Sequence, residues 1–385
     1  MLRSRTAAET IEAMSPHFAA LGITRLARQT GLDRTGMPCF ACVRPRAATL
    51  SVSQGKGLTD DQAKVSAIME AAEFAIAERP RLSSSVNTAR ELRAEGRAFM
   101  VPHRLLPMGA GLPCDLPLQW VTGIGVFSKA EILVPLAAVH LSGKASELPG
   151  ICQTTNGLAS GNTFEEALVQ GICELVERDA NTLWSLKNAQ SRAHTAIAIA
   201  DSHDGSISSL LDRMACAGMS CSIFDQTADT DIPTFMVAVG EVGGAKTRYQ
   251  IAAGFGTDID PVLALLRAIT EALQSRITAI AGARDDLCTA GFSGSIMPED
   301  VDILLSKPTR FRSFRRLHEL GPSALLELLR EKFAAAGVLE PTAIDLSGDE
   351  LPCKVVRVIS NELEDYGANS NWRPGVRAAS ALLAA

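Results

Sequence analysis

Apolar and polar positions follow two different periods along the chain, and together they predict strands and helices. Short apolar runs bounded by turn residues predict strands. These runs are 40–45, 121–127, 131–141, 220–225, 234–242, 248–256 and 354–359. Between them, apolar residues recur every three or four positions, which is the period of an amphipathic helix. Since no low-complexity linker divides the chain, the pattern predicts one α/β or α+β unit with subdomains.

Three of the helical segments share one sequence pattern, which we interpret as an internal repeat. In each, a Gly-rich turn precedes a helix that carries an Ala, a Glu seven residues later, and a Glu or Gln three residues further on. These positions are Ala63, Glu70 and Glu73; Ala167, Glu174 and Glu177; and Ala264, Glu271 and Gln274. The repeat predicts helices near 59–79, 163–180 and 260–277.

The starts of these helices carry residues that cap helices. Thr59 with Gln62 and Thr163 with Glu166 have the spacing of a capping box, and Asp260 before a proline suits an N-cap. We therefore expect all three helices to begin where the repeat places them.

Composition and charge restrict the classes of partner. The formal net charge is −6 and only 5% of the residues are aromatic, which argues against a nucleic-acid-binding protein. The N-terminus has no apolar segment behind its basic residues, and no stretch of about 18 uncharged apolar residues occurs, so we expect a soluble, cytoplasmic protein that does not bind a membrane.

The nine cysteines are scattered, as is usual for free thiols in a reducing compartment. Cys39 and Cys42 have the CxxC spacing of zinc and redox sites, but no second ligand pair accompanies them. Strand alternation around them places the two thiols on opposite faces. The spacing therefore favours buried thiols over a metal or redox site.

Two of the repeats place carboxylates side by side on apolar helices. Residues three apart share a helix face, so Glu70 lies beside Glu73 and Glu174 beside Glu177. A lone pair of this kind is usually a solvated helix face. Recurrence in one phase instead favours a metal site, because buried like charges need a cation or a raised pKa, and oxygen ligands suit Mg²⁺.

The Gly-rich turns add an expectation about anions. Backbone amides at a helix N-terminus bind phosphate, and glycine allows close approach. Each glutamate pair lies about 15 Å along its helix from the turn, at about 1.5 Å per residue. A phosphate and metal site must therefore combine residues of different repeats, and no GxxxxGK[ST] motif is present.

The segments 156–180, 55–73 and 267–286 resemble the YcaO family. The resemblance implies a YcaO-like fold over 46–385, after a lead-in segment 1–45, in which repeated strand and helix units converge on one nucleotide site. It also implies ATP, Mg²⁺ and activation of a peptide backbone amide by phosphorylation of its oxygen.

The resemblance assigns roles to matching residues. Metal ligands are Glu70, Glu73, Glu174 and Glu177, and nucleotide contacts are Ser66, Asn162 and Glu166. Phosphate is held by Lys56, Arg178 and Arg276, of which the two arginines are the catalytic candidates because cations stabilise the charge that develops on phosphate oxygens. Structural alternatives are a capping role for Glu166, a helix salt bridge for Arg178, and a C-terminal helix cap for Arg276.

The resemblance also suggests a product. The chain ends in NWRPGVRAASALLAA, without the proline-rich tail of many azoline-forming members, and it resembles compact members that form thioamides with a sulfur donor and a TfuA-type partner. The substrate is then a precursor peptide or protein, delivered by that partner or by a separate recognition protein, and the usual assembly is a homodimer. The alternatives are an azoline-forming cyclodehydratase, in which Cys, Ser or Thr of the substrate is the nucleophile, and a non-catalytic ATP-binding accessory protein.

Overall fold

Each of the three sequence repeats folds into a β-strand, a turn and an α-helix. The computed structural model describes residues 3–142, 146–202, 205–243, 251–287, 308, 310–317 and 320–384. The repeats are β3 (Val52–Lys56) with α2 (Asp60–Ala77), β7 (Leu158–Gly161) with α4 (Phe164–Ser185), and β11 (Ile251–Thr257) with α7 (Pro261–Ala281). The three predicted helices are confirmed, with ends that differ by a few residues.

The strands form three sheets, and each repeat supplies the last strand of a different one. The first sheet has the order β1-β2-β3, with β1 (Arg25–Arg28) and β2 (Cys39–Val43). The second has the order β4-β5-β13-β14-β7, with β6 on β5; its strands are β4 (Ser84–Asn87), β5 (Leu118–Gly125), β6 (Glu131–Pro135), β13 (Thr342–Asp345) and β14 (Lys354–Ile359). The third has the order β11-β10-β9-β8-β12, with β8 (Ala196–Ser202), β9 (Met219–Asp225), β10 (Thr234–Glu241) and β12 (Arg310–Phe314).

Neighbouring strands in the described part of the chain are antiparallel except for β8 and β12, which are parallel. The other helices are α1 (Ala7–Met14), α3 (Ala89–Ala94), α5 (Ala189–Ala193), α6 (Gly205–Cys216), α8 (Pro322–Ala335) and α9 (Val376–Ala384). This mixture of antiparallel sheets and helices confirms the predicted α+β class. Among the described helices, none has the length and apolar character needed to cross a membrane.

The sheets separate the repeat helices from one another while keeping them close. The second sheet packs α2 on one face and α4 on the other, each in its own apolar core. The first sheet contributes Cys42 to the core that contains α2 and Cys39 to the core that contains α7. The opposite orientation predicted for these two thiols is therefore confirmed, and they cannot share one metal ion.

Burial raises the pKa of both Cys39 and Cys42 to about 12, so neither is a thiolate at neutral pH. All described cysteines are free, as expected, while Cys288 lies outside the described residues. The CxxC spacing thus reflects two core positions of one strand.

The repeated alanine is the place where each helix touches its own strand. A Cβ on Gly55 would lie 2.1 Å from the carbonyl oxygen of Ala63, and one on Gly256 would lie 2.1 Å from that of Ala264. We expected these glycines to admit phosphate. The structure shows another reason for them, since only glycine allows the helix backbone to pack this closely on the strand.

The predicted N-caps are confirmed. The side chains of Thr59, Thr163 and Asp260 each accept a backbone hydrogen bond from the first turn of their helices. The Glu166 carboxylate, however, accepts from the N–H of Asn162, the residue before the cap, at 3.1 Å. At α2, Gln62 Oε1 likewise accepts from the N–H of Leu58, the residue before the cap, at 2.9 Å. Both predicted capping boxes are therefore only half formed, and Glu166 is turned toward the segment that precedes α4.

The lead-in segment is integrated into this architecture. Its strands β1 and β2 form the first sheet with β3, and α1 packs on α2. Residues 3–10 lie against the start of α4, where the Ser4 N–H donates to Glu166 Oε1 at 2.6 Å and Thr10 Oγ1 donates to Asn162 Oδ1 at 3.0 Å. The N-terminal segment therefore forms part of the wall of the site described next.

Candidate functional site

The three repeat helices meet around one cavity of about 1290 Å³. Each helix contributes polar side chains to its wall: Ser66, Glu70 and Glu73 from α2; Gln170, Glu174 and Arg178 from α4; and Arg267, Glu271 and Gln274 from α7. This geometry agrees with the expectation that one site combines residues of different repeats. The helices meet in this way because the strand that precedes each of them is the edge strand of a different sheet.

The repeat extends to the hydrogen bonds of individual glutamates. The Gln54 N–H donates to Glu70 Oε2 at 2.8 Å, and the Phe255 N–H donates to Glu271 Oε1 at 3.3 Å. In both repeats the donor lies in the strand, 16 residues before the glutamate. The strand backbone thus orients the carboxylate of its own helix toward the cavity.

The glutamates of α2 face the cavity without a cation of their own. Within the described residues, neither Glu70 nor Glu73 has a Lys or Arg nitrogen within 4 Å, and Glu73 Oε1 instead accepts from Ser160 Oγ at 2.6 Å. Burial raises the pKa of Glu70, and it raises the pKa of Glu73 to about 8. These carboxylates therefore need a proton or an added cation at neutral pH.

The glutamates of α4 share one arginine. Arg178 lies 3.5 Å from Glu174 Oε1 and 3.8 Å from Glu177 Oε1, which confirms the predicted helix salt bridge. Burial nevertheless raises the pKa of Glu174, and it raises that of Glu177 to about 7. Glu174 and Arg178 line the cavity, whereas the Glu177 side chain is 13% exposed and lies behind them.

One ion pair joins the first repeat to the third. Lys56 Nζ, at the end of β3, lies 2.7 Å from Glu271 Oε2 on α7. Burial alone would raise the pKa of Glu271, but the charges of Lys56 and Arg178 hold it below its usual value. Glu271 is therefore ionised, and the cavity keeps one fixed carboxylate opposite the pair on α2.

Two predicted nucleotide contacts lie at the start of α4. Asn162 lines the cavity, whereas Glu166 is fully buried beside it. The Glu166 carboxylate is held by the Ser4 N–H and by Arg3 Nη1 at 3.2 Å. Glu166 thus fixes the N-terminal segment and Asn162, which is more than the capping role considered from the sequence.

The structure places Arg276 outside the cavity wall. Its Nε lies 2.9 Å from Asp33 Oδ1 and its Nη2 lies 2.6 Å from Glu241 Oε1, and it is absent from the lining residues. The C-terminal cap of α7 is Gly282. The sequence-based role of Arg276 in holding phosphate is therefore corrected, because both carboxylates that bind the guanidinium lie away from the cavity.

Sequence reasoning missed Arg284 as a candidate. Arg284 follows α7, lines the cavity, and pairs with Asp286 at 2.6 Å. The signal was available, because the Arg-Asp-Asp run follows the third repeat directly, but an arginine among acidic residues is usually a surface ion pair. Only the tertiary structure, in which the segment after α7 returns to the cavity, distinguishes Arg284 from an arginine of a surface ion pair.

The donor set suits a hard cation that also binds phosphate. No three His, Cys, Asp or Glu side chains converge on one point in the described parts of the chain. Mg²⁺ is commonly held by one or two carboxylates, with phosphate oxygens and waters completing its shell. The separate glutamate pairs on α2 and α4 match that requirement.

Comparison with known proteins supports this interpretation. The sequence profile described as YcaO cyclodehydratase, ATP- and Mg²⁺-binding, matches residues 54–364. A protein of Rhizobium leguminosarum bv. trifolii, described as lying in the tfuA 3′ region, is 36% identical over an alignment of 394 positions, which covers 99% of this chain and 93% of that protein.

Two solved structures share the fold. The YcaO protein of Methanopyrus kandleri bound with AMPPCP and Mg²⁺ superposes with a TM-score of 0.71 at 23% identity, over 95% of this chain and 93% of that one. A heterocyclase in complex with substrate and cofactor superposes with a TM-score of 0.76 at 21% identity; the match covers 94% of this chain and about half (53%) of that longer chain. These two structures show the fold, and the family profile defines an ATP- and Mg²⁺-binding class of protein. Since the family profile covers most of its length, the chain belongs to the YcaO family.

Proposed function

We propose that the chain is an enzyme that uses ATP and Mg²⁺ to activate a backbone amide of a ribosomally synthesised peptide or protein, and that its product is a thioamide. The observation that carries the proposal is that, in the described part of the chain, half-buried glutamates face the cavity without a cation of their own within ion-pair distance. Glu70 and Glu73 have no ion pair among the described residues, and Arg178 serves two glutamates. Bound Mg²⁺ would neutralise these groups and align the phosphates of ATP.

We assign the following roles to the residues of the cavity. Glu70 and Glu73 would hold one Mg²⁺ ion, and Glu174, supported by Glu177, would hold a second. Lys56 and Arg178, to which we add Arg284, would lie near the phosphates of ATP, where their charges would stabilise the negative charge that develops during phosphoryl transfer to the amide oxygen. Ser66 and Asn162 contact the nucleotide, and Glu166 keeps Asn162 in place.

One feature of a similar protein favours thioamide formation. The similar rhizobial protein is described by its position beside tfuA, which supports a TfuA-type partner and an external sulfur donor. The alternative is an azoline-forming cyclodehydratase, supported by the fold shared with a heterocyclase. Product mass separates them, because replacing oxygen by sulfur increases the mass of the peptide whereas cyclodehydration removes water.

We also propose a homodimeric, cytoplasmic enzyme that receives its substrate with the help of a partner. A non-catalytic ATP-binding protein is a weaker alternative, because buried carboxylates without their ion cost several kcal/mol. Single-turnover release of phosphate from ATP on a peptide substrate distinguishes the two.

The direct test is calorimetric titration of ATP into the purified chain with and without Mg²⁺. We expect Mg²⁺-dependent binding in the wild type and its loss in Glu70→Gln and in Glu174→Gln. Glu165→Gln is the matched control, since Glu165 is exposed on the first turn of α4. Binding that survives both substitutions in folded protein would contradict the site, and absence of binding by the wild type with its partner present would contradict the function.

A further inference from the structure

The segment Arg310–Leu317 combines a strand at the edge of a sheet, among the described strands, with concentrated positive charge. It carries four arginines in seven residues, at 310, 312, 315 and 316, in a chain whose net charge is −6. Strand β12 pairs with β8 on one side, and no described strand lies on its other side. An edge strand of this kind presents backbone N–H and C=O groups that can pair with another chain.

The exposed side chains of β12 indicate a binding role in addition to protection of the edge against unwanted pairing. Charged residues often guard edge strands against pairing, but Phe311, in the middle of β12, is 73% exposed. Phe314 points to the other face, where it is buried against Phe235 with ring centroids 5.2 Å apart. An exposed aromatic residue on an open edge is a ready contact for an apolar side chain.

Two of the four arginines have no acidic partner among the described residues. These are Arg310 and Arg315, whereas Arg312 lies 3.7 Å from Asp225 and Arg316 lies 3.9 Å from Asp260. Side chains 310–313 are exposed throughout. The positive charge of Arg310 and Arg315 is therefore available to a partner.

The C-terminal end of the segment Arg310–Leu317 contacts the first turn of α7, a helix that also carries a residue of the candidate active site. The Leu317 N–H donates to Asp260 Oδ2 at 3.1 Å, and Asp260 is the N-cap of α7. Glu271 lies on the same helix, about 16 Å further along at about 1.5 Å per residue. An extended peptide of about five residues spans that distance.

We propose that β12 is a docking strand for the peptide substrate. An extended, acidic segment pairs with this edge as an added strand. Its carboxylates lie against Arg310 on one face, and an apolar side chain packs on Phe311 on the opposite face. Arg315, just beyond the end of β12, adds positive charge. The role of the bound segment as substrate rests on the proposed function, but the docking itself requires neither ATP nor Mg²⁺.

The test uses the full chain and a fluorescein-labelled ten-residue peptide of alternating Glu and Val, followed by anisotropy without nucleotide. We expect the double variant Arg310→Glu/Arg315→Glu to bind at least tenfold more weakly than the wild type. Arg25→Glu, which reverses an exposed arginine on the edge strand β1, is the matched control and should bind as the wild type does. Thermal unfolding of each variant confirms that it is folded.

Backbone pairing is tested with two N-methylated peptides, each blocking one alternate set of N–H groups. We expect one of them to lose binding, because only one set faces β12. Equal binding by the double variant, or full binding by both N-methylated peptides, overturns the proposal. Tighter binding of a single-stranded oligonucleotide to the same arginines also overturns it. Titration of MgATP into the same samples reports on the proposed function separately.

Discussion

The pair Glu70 and Glu73 yields a prediction about stability as well as binding. Without metal, Glu73 is a half-buried carboxylate whose pKa burial raises from 4.5 to about 8. Glu73→Gln removes the ionisable group and keeps its shape, including an oxygen that can accept the Ser160 hydroxyl bond. We therefore expect the variant to be more stable than the wild type in metal-free buffer at pH 8.

The direction and size follow from the pKa. Because the folded-state pKa lies above the unfolded value, the native state binds this proton more tightly, so the stability penalty is absent below pH 4.5 and grows until about pH 8. At about 1.36 kcal/mol per pKa unit the ceiling is about 5 kcal/mol. Partial exposure and relaxation reduce it, and we expect about 1–3 kcal/mol.

The assay is urea unfolding of both proteins at pH 5 and pH 8 in the presence of EDTA. The difference in the free energy of unfolding should favour Glu73→Gln at pH 8 and shrink at pH 5. Saturating MgATP should reverse the order, since it stabilises only the protein that binds it. Glu165→Gln again serves as the exposed control.

A stability difference that stays constant between pH 5 and pH 8 would refute the reasoning, because it would show that Glu73 does not carry a raised pKa. A wild type that remains the more stable protein at pH 8 without metal would show that the carboxylate is already neutralised. Either result would remove the main argument that Glu70 and Glu73 form a metal site.

Two further predictions concern residues outside the chemistry. Gly256→Ala should lower the free energy of unfolding by about 3 kcal/mol or more, because the added Cβ would lie 2.1 Å from the Ala264 carbonyl oxygen and overpack the contact. Gly111→Ala is the control and should be nearly neutral, since the space around Gly111 is open. Urea unfolding of both variants measures the difference. Arg276→Met should lower the free energy of unfolding by about 3–5 kcal/mol, because it leaves the buried Asp33 carboxylate without its ion pair. The MgATP affinity of the folded variant, measured by calorimetry, should be unchanged. A loss of affinity in the folded variant would support the role of Arg276 in holding phosphate.

Several features could be predicted from local sequence. All seven apolar runs contain strands, although the run 131–141 is a strand only to Pro135 before the chain turns. Strands with few consecutive apolar residues were missed, among them β3 and β7, which open two of the repeats. Their glycines and polar residues hide the strand pattern, because what stabilises them is close contact with a helix.

The sequence by itself determined the three repeats, their capped starts and the common phase of their glutamates, because periodicity and capping act within one helix. The tertiary structure alone decided which residues share a cavity. It paired Lys56 with Glu271 and set the N-terminal segment on Glu166, while it brought Arg284 to the cavity and turned Arg276 away. These contacts join residues far apart in the chain, and they depend on how three sheets place their last strands, which no local pattern records.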